Sequence, residues 1–439
     1  MKYILSILLF FAFSCQAQIK YRVIPGAAYP PTSGALTYDT IEVFNQTFDA
    51  ALSGDFNSVR NTTTDFTISG GKITFPASNG SAYQFTKQIV YNVGTLNENC
   101  YQKATIIRNS NDFAYGVGIG WRSINTRDFN WSVYGYLNQN TYSANKGKCV
   151  TVTPMFSDFF STSAMSLPAI GDTIDLTVHR IGINYTVTAY NRNNGQSNSY
   201  EFVTYPTATP YVAHQISVPA LNWFGGGFSV LNWSYHIIKP HTVETMIIGN
   251  SITYGQAAST QAQRYASLIV NPEYNIISGG GSDVTQSVLD RMAEIKLLHP
   301  KRVLLMIGGN DVYFGIPAAT YRANLITIRD SLVNNGIECI HMLPTARTIV
   351  DERPLKNFLD TCSRFATDKK IDLFTLTLKS GTSYALADSY NSGDGVHPSN
   401  AGHTAIADYI NARLREWGYD VIQGNQLRKI KIIVKNKPR

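Results

Sequence analysis

A serine, an asparagine and an aspartate–histidine pair, each in a glycine-bearing loop, are the residues of this 439-residue chain whose types and spacing suit joint chemistry. Ser251 stands in Gly249-Asn250-Ser251-Ile252-Thr253, just after an apolar run ending at Ile248. A serine at the start of a helix is placed for nucleophilic attack, because the helix end offers N–H groups and a positive dipole to a developing oxyanion. The same position equally suits a helix cap. Asn310 stands in Gly308-Gly309-Asn310-Asp311, directly after VLLMI. Its amide is a natural oxyanion donor, and Asp311 is expected to cap the next segment; alternatively the four residues are only a turn. The last set is Asp394-Gly395-Val396-His397-Pro398. An aspartate three residues before a histidine can fold back onto the imidazole Nδ1–H and leave Nε2 free as a base. Pro398 suits the first turn of the helix that follows. A lone histidine is structural by default; the nearby aspartate reverses that preference. His403 is a rival base, but it lies within the following helix and lacks an aspartate at a matching offset.

These loops need a frame. After His241, strand-like apolar runs alternate with helix-length amphipathic ones: VETMIIG with YASLIV, YNIIS with VTQSVLDRMAEIKLL, and KRVLLMIGG with AATYRANLITIRDSLVNN. IECIHMLP with PLKNFLDTCSRFATDKK and IDLFTLTL with AGHTAIADYINARLREW complete five alternations. That pattern predicts a parallel sheet covered by helices on both faces, with chemistry at the carboxyl ends of the strands. Every candidate residue falls in a loop after a predicted strand.

In this order and setting, the three blocks resemble the SGNH (GDSL-type) hydrolase pattern: GNSIT for the nucleophile, Gly308 to Asp311, and Asp394 to Pro398. The resemblance covers roughly residues 243–418. It implies a flavodoxin-like α/β/α three-layer fold, no metal, no cofactor, and ester hydrolysis through an acyl-enzyme. Ser251 would attack, His397 would act as base and Asp394 would orient it. The Ser251 N–H, a glycine N–H and the Asn310 amide would form the oxyanion hole. Two departures stand out. Asn250 replaces the commonest aspartate, outside the catalytic set. The family's Asn-x-Gly-x-Ser-Gly block reads NIISGGG here. Counting from Asn275 selects Gly280 as the oxyanion donor, which is the expectation adopted, whereas counting back from Arg291 selects Gly281.

Ahead of this half, from about Ile41 to Pro240, short alternating runs are separated by Asn, Gly, Ser and Asp, the pattern of a β-sandwich or jelly roll. TIDLTVHR-IG-INYTVTAY is expected to form a hairpin turning at Gly182. FNQTFDAALSGDF, GDTIDLTVHRIGINYTVTAYN and FGGGFSVLNWSYHI resemble concanavalin-like (laminin-G-like) jelly rolls. The resemblance implies a glycan-facing role, in which Trp121, Trp131, Trp223 and Trp233 would stack on sugar rings. The competing expectation places each tryptophan in the core.

Composition adds bounds. With 44% apolar and 15% charged residues, the chain has material for two cores. The net charge of +7 is concentrated in the final stretch RKIKIIVKNKPR, so no basic stripe suited to nucleic acid remains. The opening MKYILSILLFFAFSCQA reads as a secretory signal over residues 1–17, giving an exported bacterial protein. Cleavage after Ala17 would release it, whereas processing at Cys15 would leave a lipid anchor. Of the remaining cysteines, Cys100 and Cys149 form the plausible pair, Cys339 and Cys362 lie in the second half, and none has CxxC spacing. The organisation expected is therefore a signal, a sandwich (20–240), a hydrolase domain (241–420) and a basic tail (421–439), acting on an acylated carbohydrate.

Overall fold

A computed structural model describes residues 38–52, 56–59, 66–75, 87–91, 99–109, 117–123, 132–136, 147–148, 169–181, 184–203, 217–223, 228–348, 369–382 and 384–420. The signal segment with Cys15, the basic tail, Gly182, Trp131, Cys149, Cys362 and most of the helix expected from Pro354 lie outside the described residues.

The first half is built from two antiparallel sheets, one of eight strands and one of six among the described residues. Alternation in the sequence becomes alternation in burial. Along Thr173–Ile181, Ile174, Leu176 and Val178 are fully buried while their neighbours face outward. That strand pairs with Asn184–Asn191 in the expected hairpin, Ile181 standing opposite Asn184. Trp233 packs on Phe44 at 4.8 Å and Phe56 at 5.7 Å between ring centroids. Its Nε1–H donates to Gln102 Oε1 at 3.0 Å, and Gln102 in turn donates to the carbonyl of Gly120 on the other sheet. The two sheets are thus bridged by a buried amide as well as by apolar area. Trp121 and Trp233 are both core residues, which decides for these two between core and sugar stacking.

The second half is a parallel sheet of five strands: β1 (Thr245–Gly249), β2 (Asn275–Gly279), β3 (Arg302–Met306), β4 (Glu338–Leu343) and β5 (Lys370–Asp372). Their spatial order is β2-β1-β3-β4-β5, so the chain reverses direction between β1 and β3. Every residue of β1 and β3 is buried, as a sheet covered on both faces requires. On one face Met246, Ile248, Val303 and Leu305 join Val288, Ile295, Ile328 and Leu332 from three helices: α2 (Thr285–Asp290), α3 (Met292–Leu298) and α5 (Ala318–Val333). On the other face Ile247, Leu304 and Met306 meet Ile406, Ile410 and Leu414 of the last described helix, Asn400–Glu416. The first of these clusters continues through Val243 into the sandwich residues Ile237 and Tyr235.

Several local expectations are corrected. The single helix expected over VTQSVLDRMAEIKLL breaks at Arg291, whose side chain turns fully inward to meet Asp283. YASLIV forms only a 3-10 turn, Tyr265–Leu268, because the Asn411 side chain donates to the Leu268 carbonyl and accepts from the Val270 N–H. IDLFTLTL is strand only to Asp372. There the carboxylate accepts from the Thr375 N–H at 2.9 Å and caps a short helix, Leu373–Thr377. Pro398 lies before the last helix; Ser399 caps that helix.

Candidate active site

Ser251 opens α1 (Ser251–Tyr254), immediately beyond β1, and Asn250 caps that turn by accepting from the Ile252 N–H at 3.0 Å. The asparagine in place of aspartate therefore keeps the capping bond. Gly249 is required here: a Cβ would sit 2.0 Å from Thr253 Oγ1 and 2.8 Å from the Met306 carbonyl. Asn310 lies in α4 (Gly309–Tyr313) at the end of β3. It is preceded by Gly308 at φ 121°, a backbone state closed to side chains, with the Tyr321 ring filling the space a Cβ would need. Both loops flank the point where the strand order reverses, the crevice expected in such sheets. Asp394 and His397 arrive from the long connection after β5 and end next to Ser251.

The contacts form one chain. The Ser251 hydroxyl lies 2.9 Å from His397 Nε2, and His397 Nδ1 lies 2.5 Å from Asp394 Oδ2. Asp394 Oδ1 also accepts the N–H groups of Val396 and His397, both at 2.8 Å. With Nδ1–H facing the carboxylate, Nε2 carries the lone pair and accepts the serine O–H. Burial pushes the Asp394 carboxyl up, but these N–H groups and the imidazole outweigh it and hold it below its ordinary value. Burial also pulls His397 below the ordinary imidazole value, and the Arg347 guanidinium adds to that against the opposing pull of Asp394. The imidazole is thereby kept neutral, with Nε2 available to accept a proton. The arrangement can take a proton from Ser251 and hand it back.

The oxyanion donors divide. Asn310 Nδ2 spends one N–H on the Asp283 carbonyl at 3.0 Å, which fixes the amide and leaves its second N–H. Gly280 N–H donates to the Gly249 carbonyl at 3.2 Å, whereas the N–H groups of Ser251 and Gly281 make no hydrogen bond among the described residues. Of the two glycines weighed for the oxyanion hole, Gly280 thus has its N–H engaged, whereas that of Gly281 is available. Asp311 caps a helix other than the expected one, since its buried carboxylate accepts from Thr285 N–H and the Thr285 hydroxyl at the start of α2. His403 is no rival base. It is fully buried, its Nδ1 accepts from Tyr265 N–H at 3.3 Å, and its Nε2 faces the Gln256 carbonyl at 3.4 Å.

Two arginines beside the site, Arg291 and Arg347, carry no sequence signal of their place in it. Arg291 is fully buried, binds Asp283 Oδ2 at 2.5 Å and donates to the Ser278 carbonyl at 3.2 Å. It pins the end of β2 beside the nucleophile turn. A basic residue in the middle of an amphipathic helix gives no sign of this inward turn.

Comparison with known proteins adds one family match over part of the chain. Residues 247–405 match the GDSL-like lipase/acylhydrolase family. The GDSL-like stretch contains Ser251, Asn310, Asp394 and His397, and the activity class it supports is ester hydrolysis. No curated protein matches the chain. Among solved structures, a lipolytic protein assigned to the G-D-S-L family from Desulfitobacterium hafniense is 21% identical, over 39% of this chain and 100% of its own, with a TM-score of 0.36. A GDSL-like lipase from Bacteroides thetaiotaomicron is 17% identical over 40% of this chain and 89% of its own, with a TM-score of 0.35. A Lotus tetragonolobus seed lectin is 12% identical over 45% of this chain and 99% of its own, with a TM-score of 0.31.

Proposed function

We propose that the protein is an exported serine esterase that removes acyl groups, acetyl above all, from a glycan. The observation that carries the serine chemistry is the unbroken contact chain from Ser251 through His397 to Asp394. In the first half-reaction Ser251 Oγ bonds to the ester carbonyl carbon as its proton passes to His397 Nε2. The carbonyl electron pair becomes an oxyanion facing the N–H groups of Ser251, Gly281 and Asn310. Collapse expels the alkoxide, which takes the proton from His397 and leaves as the alcohol. Water then repeats the sequence on the acyl-serine, giving the carboxylic acid and free Ser251.

Support for a sugar substrate comes from a sandwich joined directly to the esterase sheet and from the leader-like first residues. A third support is Tyr313, a 56% exposed aromatic three residues beyond Asn310. Acetate release across a panel of acetylated polysaccharides, with Ser251→Ala as control, tests this. Release from at least one polysaccharide by the wild type alone is expected. Cleavage of simple or long-chain esters with no glycan deacetylated would sink the carbohydrate assignment and favour a lipase or thioesterase.

The pH profile follows from the base. Because His397 is held below the ordinary imidazole value, the neutral form persists into mildly acidic solution. The acidic limb of kcat/KM should therefore fall below pH ~6.5, the usual imidazole value. A limb above that value would show that His397 is not held neutral as described.

A further inference from the structure

Arg347 lies in the segment after β4, far in sequence from the other site residues, and is almost wholly buried. Its Nη1 donates to the carbonyl of Gly309, the residue before Asn310, at 2.7 Å. Its backbone N–H donates to the Tyr384 carbonyl at 2.8 Å. The next residue, Thr348, donates its N–H to the carbonyl of Gly395 at 2.6 Å, between Asp394 and His397, and its hydroxyl accepts from Leu386 N–H at 3.1 Å. One short segment thus holds both the loop that presents the Asn310 amide and the loop that presents the base.

We propose that Arg347 is a positioning residue for ester cleavage: its guanidinium fixes the Gly309 carbonyl, and so the Asn310 amide, while its backbone segment anchors the His397 loop. This rests on the assignment of Ser251 and His397 as nucleophile and base. A shift of about 1 Å in an oxyanion donor is enough to cost roughly 100-fold in rate, so fixing the donor matters as much as supplying it. The cation has a second effect. The charged or titratable groups acting on His397 among the described residues are Asp394 from its own loop, Arg347 from the segment after β4, and His403 from the last helix. Burial pushes His403 down to about 4, so it is uncharged at neutral pH. Arg347 is then the cation that opposes protonation of the base.

Two variants of the full-length protein, Arg347→Met and Arg347→Lys, test this with two readouts. One is kcat and KM on p-nitrophenyl acetate; the other is the pH midpoint for phosphonylation of Ser251 by a fluorophosphonate. Arg347→Met should lower kcat by roughly 10- to 100-fold with KM within about twofold, and its phosphonylation midpoint should move to higher pH. Arg347→Lys keeps the charge without the planar fork, so its midpoint should stay near wild type while kcat remains low. An Arg347→Met protein that matches the wild type in kcat and midpoint, and differs only in thermal stability, overturns the proposal. A wild type that fluorophosphonate does not label overturns the serine assignment and the proposal with it. A labelled wild type beside an unaltered Arg347→Met protein overturns the proposal alone.

Discussion

Replacing Ser251 with alanine is expected to lower kcat on p-nitrophenyl acetate by about 10⁴- to 10⁶-fold, because on the proposed mechanism this hydroxyl carries the acyl intermediate. The residual rate would come from oxyanion donors and binding alone. The fold should scarcely notice: among the described residues this hydroxyl bonds only to His397, and losing that bond costs on the order of 1 kcal/mol. A turnover number equal to wild type would remove Ser251 from the mechanism. A loss matched by a large drop in unfolding midpoint would mean that the residue serves mainly as structure.

The largest stability effect is expected at Arg291. Methionine there would fill much of the same space but leave the Asp283 carboxylate buried without its cation, a loss of about 3–5 kcal/mol. The loss depends on pH with a definite sign. Burial already pushes Asp283 up to about 6 against the pull of Arg291, and removing the arginine raises it further. A group with a raised folded value favours the native state when protonated, so the variant should be least damaged near pH 5 and should weaken as pH rises toward 8. Urea unfolding at the two pH values checks this. Adding Asp283→Leu should recover much of the loss, since an apolar pair needs no charge balance. Equal destabilisation at both pH values, or no recovery in the double variant, would contradict the ion-pair account.

The sequence carried the candidate reacting groups better than their supports. Ser251, Asn310, Asp394 and His397 were legible because each needs a short local pattern, a tight glycine turn or a fixed Asp-to-His offset, that survives in one dimension. The parallel sheet was legible for a related reason: buried runs such as MIIG and VLLMI have few alternatives. The rest depended on distant partners. Arg291 and Arg347 look like surface residues until their carbonyl acceptors, on other elements, are known. The same holds for the choice between Gly280 and Gly281, which turns on whether the Gly249 carbonyl already claims a donor. Local competition explains the misread edges, where Asp372 and Asn411 satisfy backbone groups that strand or helix would otherwise have used.

Ser251 and His397 stand on the first and last connections of the sheet, 146 residues apart. In a chain that emerges N-terminus first, Ser251 and its strand come out well before His397. The last helix, which lies beyond His397 in the chain, carries Ile406 and Ile410 onto the face beneath Ile247. On the proposed mechanism, a partly folded copy in which His397 has not yet met Ser251 carries an ordinary alcohol there. Reactivity on that mechanism therefore waits for the contact between the two connections.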